Sequence, residues 1–477
     1  MKREKEFVKN SFILSIGTFF PKLASLIILP IITGCLNKAD YGTYDLIVIL
    51  ATLFLPVATL QMQAAAFRFL VDVRDDPKQQ NVVITNIILF TIPISLVSLI
   101  ILYFVMGNLS VILRLHILSY YFIDTLLITA RQIARGLAKN SVYSISVIIS
   151  SFFEMSCIVL FLYFWKGSLE DAILAMSLSQ IIALIYIIIR IKLYSYIELK
   201  TFSFKRIKEM IAYSWAMIPN SLSSWVMNVS DRLILTWFLG IEASATYAVS
   251  NKLPNMFNMV QNTFSLAWQE NAAVSVKDKD SGKYYGKMFD NVFNIFAGVL
   301  GMLIAFTPIL YKILIRGDYS DSYVHIPILY IAVLYSAVSA YIGGIYVAHK
   351  KSKEIGITTT LAAAANFIIN IAFVHFIGIF AASISTLVSF VGLSVYRMID
   401  IQKIQKIKFN YLRIIILTAI LCLMAFFCSL RNTGFDIANM IISVAFAAFL
   451  NFKVIKWFLG SIKSKFKKNY GDSSDKS

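Results

Sequence analysis

The chain has 477 residues, of which 58% are hydrophobic and 15% charged. Soluble domains carry about 25% charged residues, so the composition excludes an ordinary soluble domain and fits a chain built for lipid. A formal net charge of +18 would suggest a nucleic-acid partner only if the cations shared one face, and their distribution along the chain argues against that.

Apolar runs of about 20 residues or more, each able to cross roughly 30 Å of hydrocarbon, fill nearly the whole length. Backbone amides in lipid must be paired internally, and these runs are too long and continuous for barrel strands, so they read as helices. Fourteen spans are predicted, at 11–36, 41–67, 81–106, 109–138, 141–165, 168–192, 210–239, 242–272, 287–314, 323–348, 354–377, 378–400, 411–430 and 434–458. Thirty-five of the 44 Lys and Arg residues fall at the two termini and the even-numbered connections, and six at the odd-numbered ones. By the positive-inside rule both termini are then cytoplasmic. The remaining three, Lys22, Arg232 and Lys252, lie within spans.

In chain order, Met1–Asn10 is a basic lead. The run after it is about 26 residues long, holds Pro21 and Pro30 and lacks a small-x-small cleavage site, so it reads as a first helix rather than a signal peptide. Lys22 sits near its midpoint. Helix 2 ends in the polar patch Gln61, Gln63 and Arg68; helix 4 carries Asp124, Arg131 and Arg135, and helix 5 carries Glu154. Leu199–Ile211 alternates Lys205, Arg206 and Lys208 with Phe202, Phe204, Ile207 and Met210, the pattern of an amphipathic helix on the inner membrane face. Helices 7 and 8 meet at a short turn near Gly240 and hold Asp231, Arg232 and Lys252. Cys35, Cys157, Cys422 and Cys428 show no ligand spacing and read as packing residues, and the four His residues lie at span ends.

A near-constant offset runs through the chain. Gly34 and Tyr41 recur at Gly240 and Tyr247, Lys139 at Lys351, Glu154 at Asn366, Gly167 at Gly378, and Tyr186 at Tyr396. Such a register signals an internal duplication, and six spans per copy make the copies parallel repeats. The fold class is therefore an all-α polytopic membrane protein: two parallel six-helix bundles and two extra helices. The expected organisation is a first bundle over 1–195, an amphipathic linker over 196–212, a second bundle over 213–402, two further spans over 403–460 and a basic, polar tail over 461–477.

An ionisable side chain at mid-membrane costs about 2.5–3.5 kcal/mol on insertion scales, so it usually faces protein or a hydrated path. Lys22, Arg232, Lys252 and Arg68 form the candidate substrate site, a cationic cavity suited to phosphate or diphosphate. Asp231, Asp124 and Glu154 are candidates for coupling H+ or Na+. Against this stand plainer readings: a self-neutralising Asp231–Arg232 pair, snorkelling of Lys22 and Lys252, a topological role for Arg68 and Arg131, and an Asp124–Arg131 pair. No catalytic or metal-binding constellation is expected.

Ser230–Leu235 (SDRLIL) before Gly240–Tyr247 (GIEASATY), and Asn366–Asn370 (NFIIN) before Gly378–Ser383 (GIFAAS), together with the repeat, resemble the Wzx-type polysaccharide-biosynthesis flippases of the multidrug/oligosaccharidyl-lipid/polysaccharide (MOP) exporter superfamily. The resemblance spans essentially the whole chain. It implies a V-shaped pair of bundles around a cationic cavity that flips undecaprenyl-diphosphate-linked oligosaccharide (O-antigen, capsule or exopolysaccharide units) across the bacterial cytoplasmic membrane by alternating access. The implied partners are that glycolipid, membrane lipids and polysaccharide polymerase or assembly proteins. Fourteen spans match the lipid II flippases of the same superfamily. Ala267–Glu270 (AWQE) departs from the Trp-x-Pro that related members show at the end of helix 8. The rivals are a cation-coupled drug exporter of the MATE type, which would want an acidic cavity; a membrane glycan polymerase or glycosyltransferase, which needs an extramembrane domain or acidic metal loop; and a major-facilitator transporter, whose loop motif is not matched by Asp72–Gln80.

Overall fold

The computed structural model describes residues 20–107, 109–215, 217–276, 278 and 280–471. The basic lead, the start of the first predicted span and the end of the tail lie outside these residues. The described chain is helical: α1 (Phe20–Cys35), α2 (Lys38–Ala58), α3 (Met62–Asp72), α4 (Pro77–Val105), α5 (Val111–Gly136), α6 (Asn140–Ile158), α7 (Leu169–Ile191), α8 (Phe204–Trp215), α9 (Ile218–Leu239), α10 (Ile241–Ser275), α11 (Ser281–Leu314), α12 (Ile326–Ala348), α13 (Ser352–Ile377), α14 (Phe380–Asp400), α15 (Tyr411–Ser429) and α16 (Thr433–Gly471).

The starts of these helices follow from local chemistry. The Asn37 side chain accepts from the Asp40 amide at α2, Asp76 caps α4 just before Pro77, and Ser168 and Asp171 form a reciprocal capping box at α7. Gly240, at φ +92, separates α9 from α10 where the short turn was expected.

Among the described residues, eleven helices are long and apolar enough to cross a membrane. The other three predicted spans are α1, apolar but short within the described residues, and α9 and α10. These are the helices that carry Lys22, Asp231 with Arg232, and Lys252. Large apolar side chains such as Ile100, Ile101 and Phe104 are 59–74% exposed. Exposure of this kind along a span suits contact with lipid tails. The protein is a multi-pass membrane protein.

Two predicted spans are broken. Pro56 removes a helix hydrogen bond, and Leu60 and Gln61 turn left-handed, at φ +49 and +59, splitting the expected 41–67 helix into α2 and α3. The fifth span leaves α geometry at Ile158 and finishes as a π-turn over Val159–Phe164. The amphipathic segment takes shape as α8, with Ile207 and Met210 buried and Lys205, Lys208 and Glu209 exposed.

The chain divides into two compact units, one of residues 1–248 with 313–319, the other of 249–312 with 320–477. The first has a core of Met62, Ala66, Leu70, Ile84, Leu127, Ile133, Ile187 and Met210 from α3, α4, α5, α7 and α8. The second is centred on aromatic packing: Trp268 stacks on Tyr341 at 4.2 Å and donates to its carbonyl at 2.8 Å.

The duplication is visible in the turns. After α5, Ala138 is left-handed at φ +60 and the Lys139 amide donates to the Ala134 carbonyl at 2.8 Å. After α12, Lys350 is left-handed at φ +59 and the Lys351 amide donates to the Tyr346 carbonyl at 2.8 Å. Both are Schellman closures, and they hold the same 212-residue register that pairs Lys139 with Lys351. Beyond them, α7 packs along α5 and α6 as α14 packs along α12 and α13.

Candidate functional site

The charged cluster of the first unit forms where α9 lies along α2. Arg232 Nη1 sits 3.1 Å from Asp45 Oδ2, with only 13% and 8% of the two side chains exposed. The adjacent Asp231 is buried and accepts from the Tyr247 hydroxyl at 3.0 Å. The neighbouring acid and base of the sequence therefore turn to different partners: the helix rotates consecutive residues about 100° apart, so each meets a different neighbour. A buried pair of this kind offsets desolvation only with close geometry, and it ties α9 to α2.

Further along the same two helices the tie is neutral. Thr59 donates to Gln63 at 2.7 Å, Gln63 to Gln61 at 2.8 Å, and Gln61 to the Ser221 hydroxyl at 2.6 Å. The left-handed residues that break the second span thus aim Gln61 across to α9. The polar patch expected at the end of helix 2 is this relay, without Arg68. Arg68 instead pairs with Asp72 one turn on, and both side chains are about half exposed.

The other candidates stand on other helices. Lys22 is half-buried on α1 beside Pro21, and Lys252 is half-buried on α10 in the second unit. Asp124 on α5 accepts from Gln180 of α7 at 3.0 Å and lies within electrostatic reach of Arg131, the partner named as the plainer reading. Glu154 on α6 lies within electrostatic reach of Asp124 and of Tyr44 on α2. Arg131 is turned to α6 rather than outward, donating to Ser146 and Ser150. Among the described residues no group of three or more His, Cys, Asp or Glu side chains is placed to hold a metal ion.

Asp45 was missed at the sequence level. Its signal was available: it is the one carboxylate in the 41–67 run. On another face of α2, Leu46, Ile47, Leu50 and Phe54 join Leu102 and Tyr121 around an apolar groove of about 670 Å3.

The fold is similar to that of solved membrane transporters. The inward closed lipid II flippase MurJ matches at TM-score 0.67 and 15% identity, over 92% of this chain and 99% of that one. An inward-facing multidrug resistance MATE transporter matches at 0.64 and 13%, over 83% and 98%. A MOP transporter from Pyrococcus furiosus, whose binding pocket is described as reversed in polarity, matches at 0.55 and 15%, over 83% and 95%. No curated protein sequence matches the chain significantly. The family model for polysaccharide biosynthesis proteins matches residues 7–268, more than half of the sequence, and the chain belongs to that family.

Proposed function

We propose that the protein is a flippase that moves a diphosphate-linked lipid oligosaccharide across the bacterial cytoplasmic membrane by alternating access, with both termini in the cytoplasm. The observation that carries this reading is the buried Arg232–Asp45 pair, in a chain of the polysaccharide-biosynthesis family with the fold of a lipid II flippase. A diphosphate brings more negative charge than one carboxylate and accepts both arms of a guanidinium, so it can displace Asp45 from Arg232. Asp45 then keeps the arginine neutralised between cycles, when an unpaired buried charge would be costly. The apolar groove on another face of α2 suits the hydrocarbon tail of the same substrate.

In this reading Lys22, Lys252 and Arg68 add positive field for the diphosphate within the two-bundle organisation read from the repeats. Asp124 and Glu154, coupled to each other in the first unit, serve the coupling proton or sodium ion, and Asp231 orients α10 through Tyr247. The cationic side chains weigh against a cation exporter as the primary function.

The test is reconstitution into liposomes with a fluorescent diphosphate-linked glycolipid, following its transfer between leaflets. Arg232→Ala is expected to slow transfer by about tenfold or more, the value of one charged hydrogen-bonding contact. Wild-type rates from both Arg232→Ala and Lys252→Ala would remove these residues from the substrate path. Transfer of a cationic dye in place of the glycolipid would favour the exporter.

A further inference from the structure

Two arginines outside the Arg232 cluster, Arg131 and Arg397, are each held by several acceptors of a neighbouring helix. On α5, Arg131 donates from Nε to the Ser146 hydroxyl at 3.2 Å, and from Nη2 to the Ser146 carbonyl at 3.1 Å and the Ser150 hydroxyl at 2.7 Å, all on α6. On α14, Arg397 is 4% exposed. Its Nε and Nη2 donate to the Thr358 hydroxyl at 3.0 and 2.9 Å. Nη2 also reaches the Thr359 hydroxyl at 2.8 Å and the Ile355 carbonyl at 3.2 Å, and Nη1 reaches the Ser339 carbonyl of α12 at 3.0 Å. Hydroxyls and backbone carbonyls hold both guanidinium groups.

The matched turns make the two environments comparable. The 212-residue register pairs Ser146 with Thr358, so the central acceptor in each half is a hydroxyl at the same position of the return helix. The same register pairs Arg131 with Gly343. Gly343 has no side chain, and a Cβ built on it would lie 3.5 Å from Arg397 Nη1. A side chain growing from residue 343 would begin where the guanidinium of Arg397 now lies. The first half supplies the group from α5, before the return helix; the second half supplies it from α14, after it.

We propose that Arg131 and Arg397 are one positioning group delivered from two different helices, and that Gly343 is the position it has left in the second half. In each half the guanidinium fixes the return helix, α6 or α13. Eight residues further along that helix, about 12 Å, stand the polar residues it presents. These are Glu154 on α6 and Asn366 on α13, whose Nδ2 donates to the Thr386 hydroxyl at 3.3 Å. The pin acts through these residues by setting the height and rotation of their helix. A lysine does not replace it, because one ammonium on a flexible stem cannot hold several hydroxyl and carbonyl acceptors in fixed directions as a planar fork does.

The experiment moves the arginine. Full-length variants are compared for thermal melting in detergent and for glycolipid transfer in liposomes. Arg397→Ala is expected to melt lower than the parent and to lose about tenfold or more of its transfer rate. Adding Gly343→Arg to it is expected to restore melting and bring transfer back to within about threefold of the parent, below half a decade in rate. Adding Gly343→Lys instead, or making Arg397→Lys alone, is expected to restore neither. If Arg397→Ala yields no folded protein, recovery of folded material by the added Gly343→Arg supports the proposal equally. A double variant no better than Arg397→Ala, or an Arg397→Lys protein equal to the parent, overturns it. Melting does not depend on which substrate is carried, so failure of this proposal is distinguishable from failure of the flippase reading.

Discussion

The α5–α6 and α12–α13 hairpins turn through the same left-handed residue and the same hydrogen bond, yet they carry different charge. At the 212-residue register, Asp124 of the first corresponds to Ser336 of the second, and Glu154 to Asn366. One hairpin holds two carboxyl groups in electrostatic reach of each other; the other holds a hydroxyl and an amide. Backbone geometry is thus common to both hairpins, whereas the carboxyl groups at these two positions are confined to one. The difference teaches that duplication conserves what closes a turn and frees what the turn presents. A coupling ion, in our reading, belongs to the first half alone.

The largest expected effect comes from the charged side of this comparison. Asp45→Asn leaves Arg232 buried without its carboxylate and should destabilise the protein by about 3 kcal/mol or more, measured as a lowered midpoint in thermal melting. Arg232→Ala in the same background should recover part of that loss, since no unpaired cation then remains. Next, Asn366→Glu copies the acid of the first hairpin into the second. An uncompensated carboxylate there should cost about 3 kcal/mol on the insertion scale, seen as reduced membrane yield and melting. Equal stability would mean the second half can host an ion after all.

A third prediction concerns transport. Glu154→Gln with Asp124→Asn should abolish the response of glycolipid transfer to an imposed proton or sodium gradient, while Asn366→Ala leaves that response intact. A gradient response surviving the double change would place coupling elsewhere. The smallest effect probes what the hairpins share. Ala138→Gly and Lys350→Gly each relieve a left-handed conformation that costs a residue with a Cβ about 1–2 kcal/mol, less the extra chain entropy of glycine. Both should raise the melting midpoint slightly and by similar amounts; unequal shifts would show that the two turns are strained differently.

Much of this architecture was legible in the residues. Run lengths located the spans, the Gly240 turn fell where the apolar pattern broke, and Lys139 and Lys351 marked a register that the turn hydrogen bonds repeat. The break at Leu60–Gln61 and the π-turn at Val159–Phe164 were not legible, because the apolar run resumes beyond Gln61 and Gln63 and is uninterrupted over Val159–Phe164. Arg397 counted as one more cytoplasmic-side cation by its place near a span end, and it is 4% exposed among hydroxyls.

The sequence by itself determined that this chain crosses a membrane as helices, that its second half repeats its first, and where cations sit at membrane depth. Those are properties of single segments, fixed by the cost of taking polar groups into hydrocarbon. Only the tertiary structure decided that Arg232 meets Asp45, that Asp231 meets Tyr247, and that Thr358 is served by Arg397 rather than by a residue at 343. A charge far from water takes whatever partner the packed neighbouring helix brings within about 3 Å, and periodicity along one helix carries no record of which helix that will be.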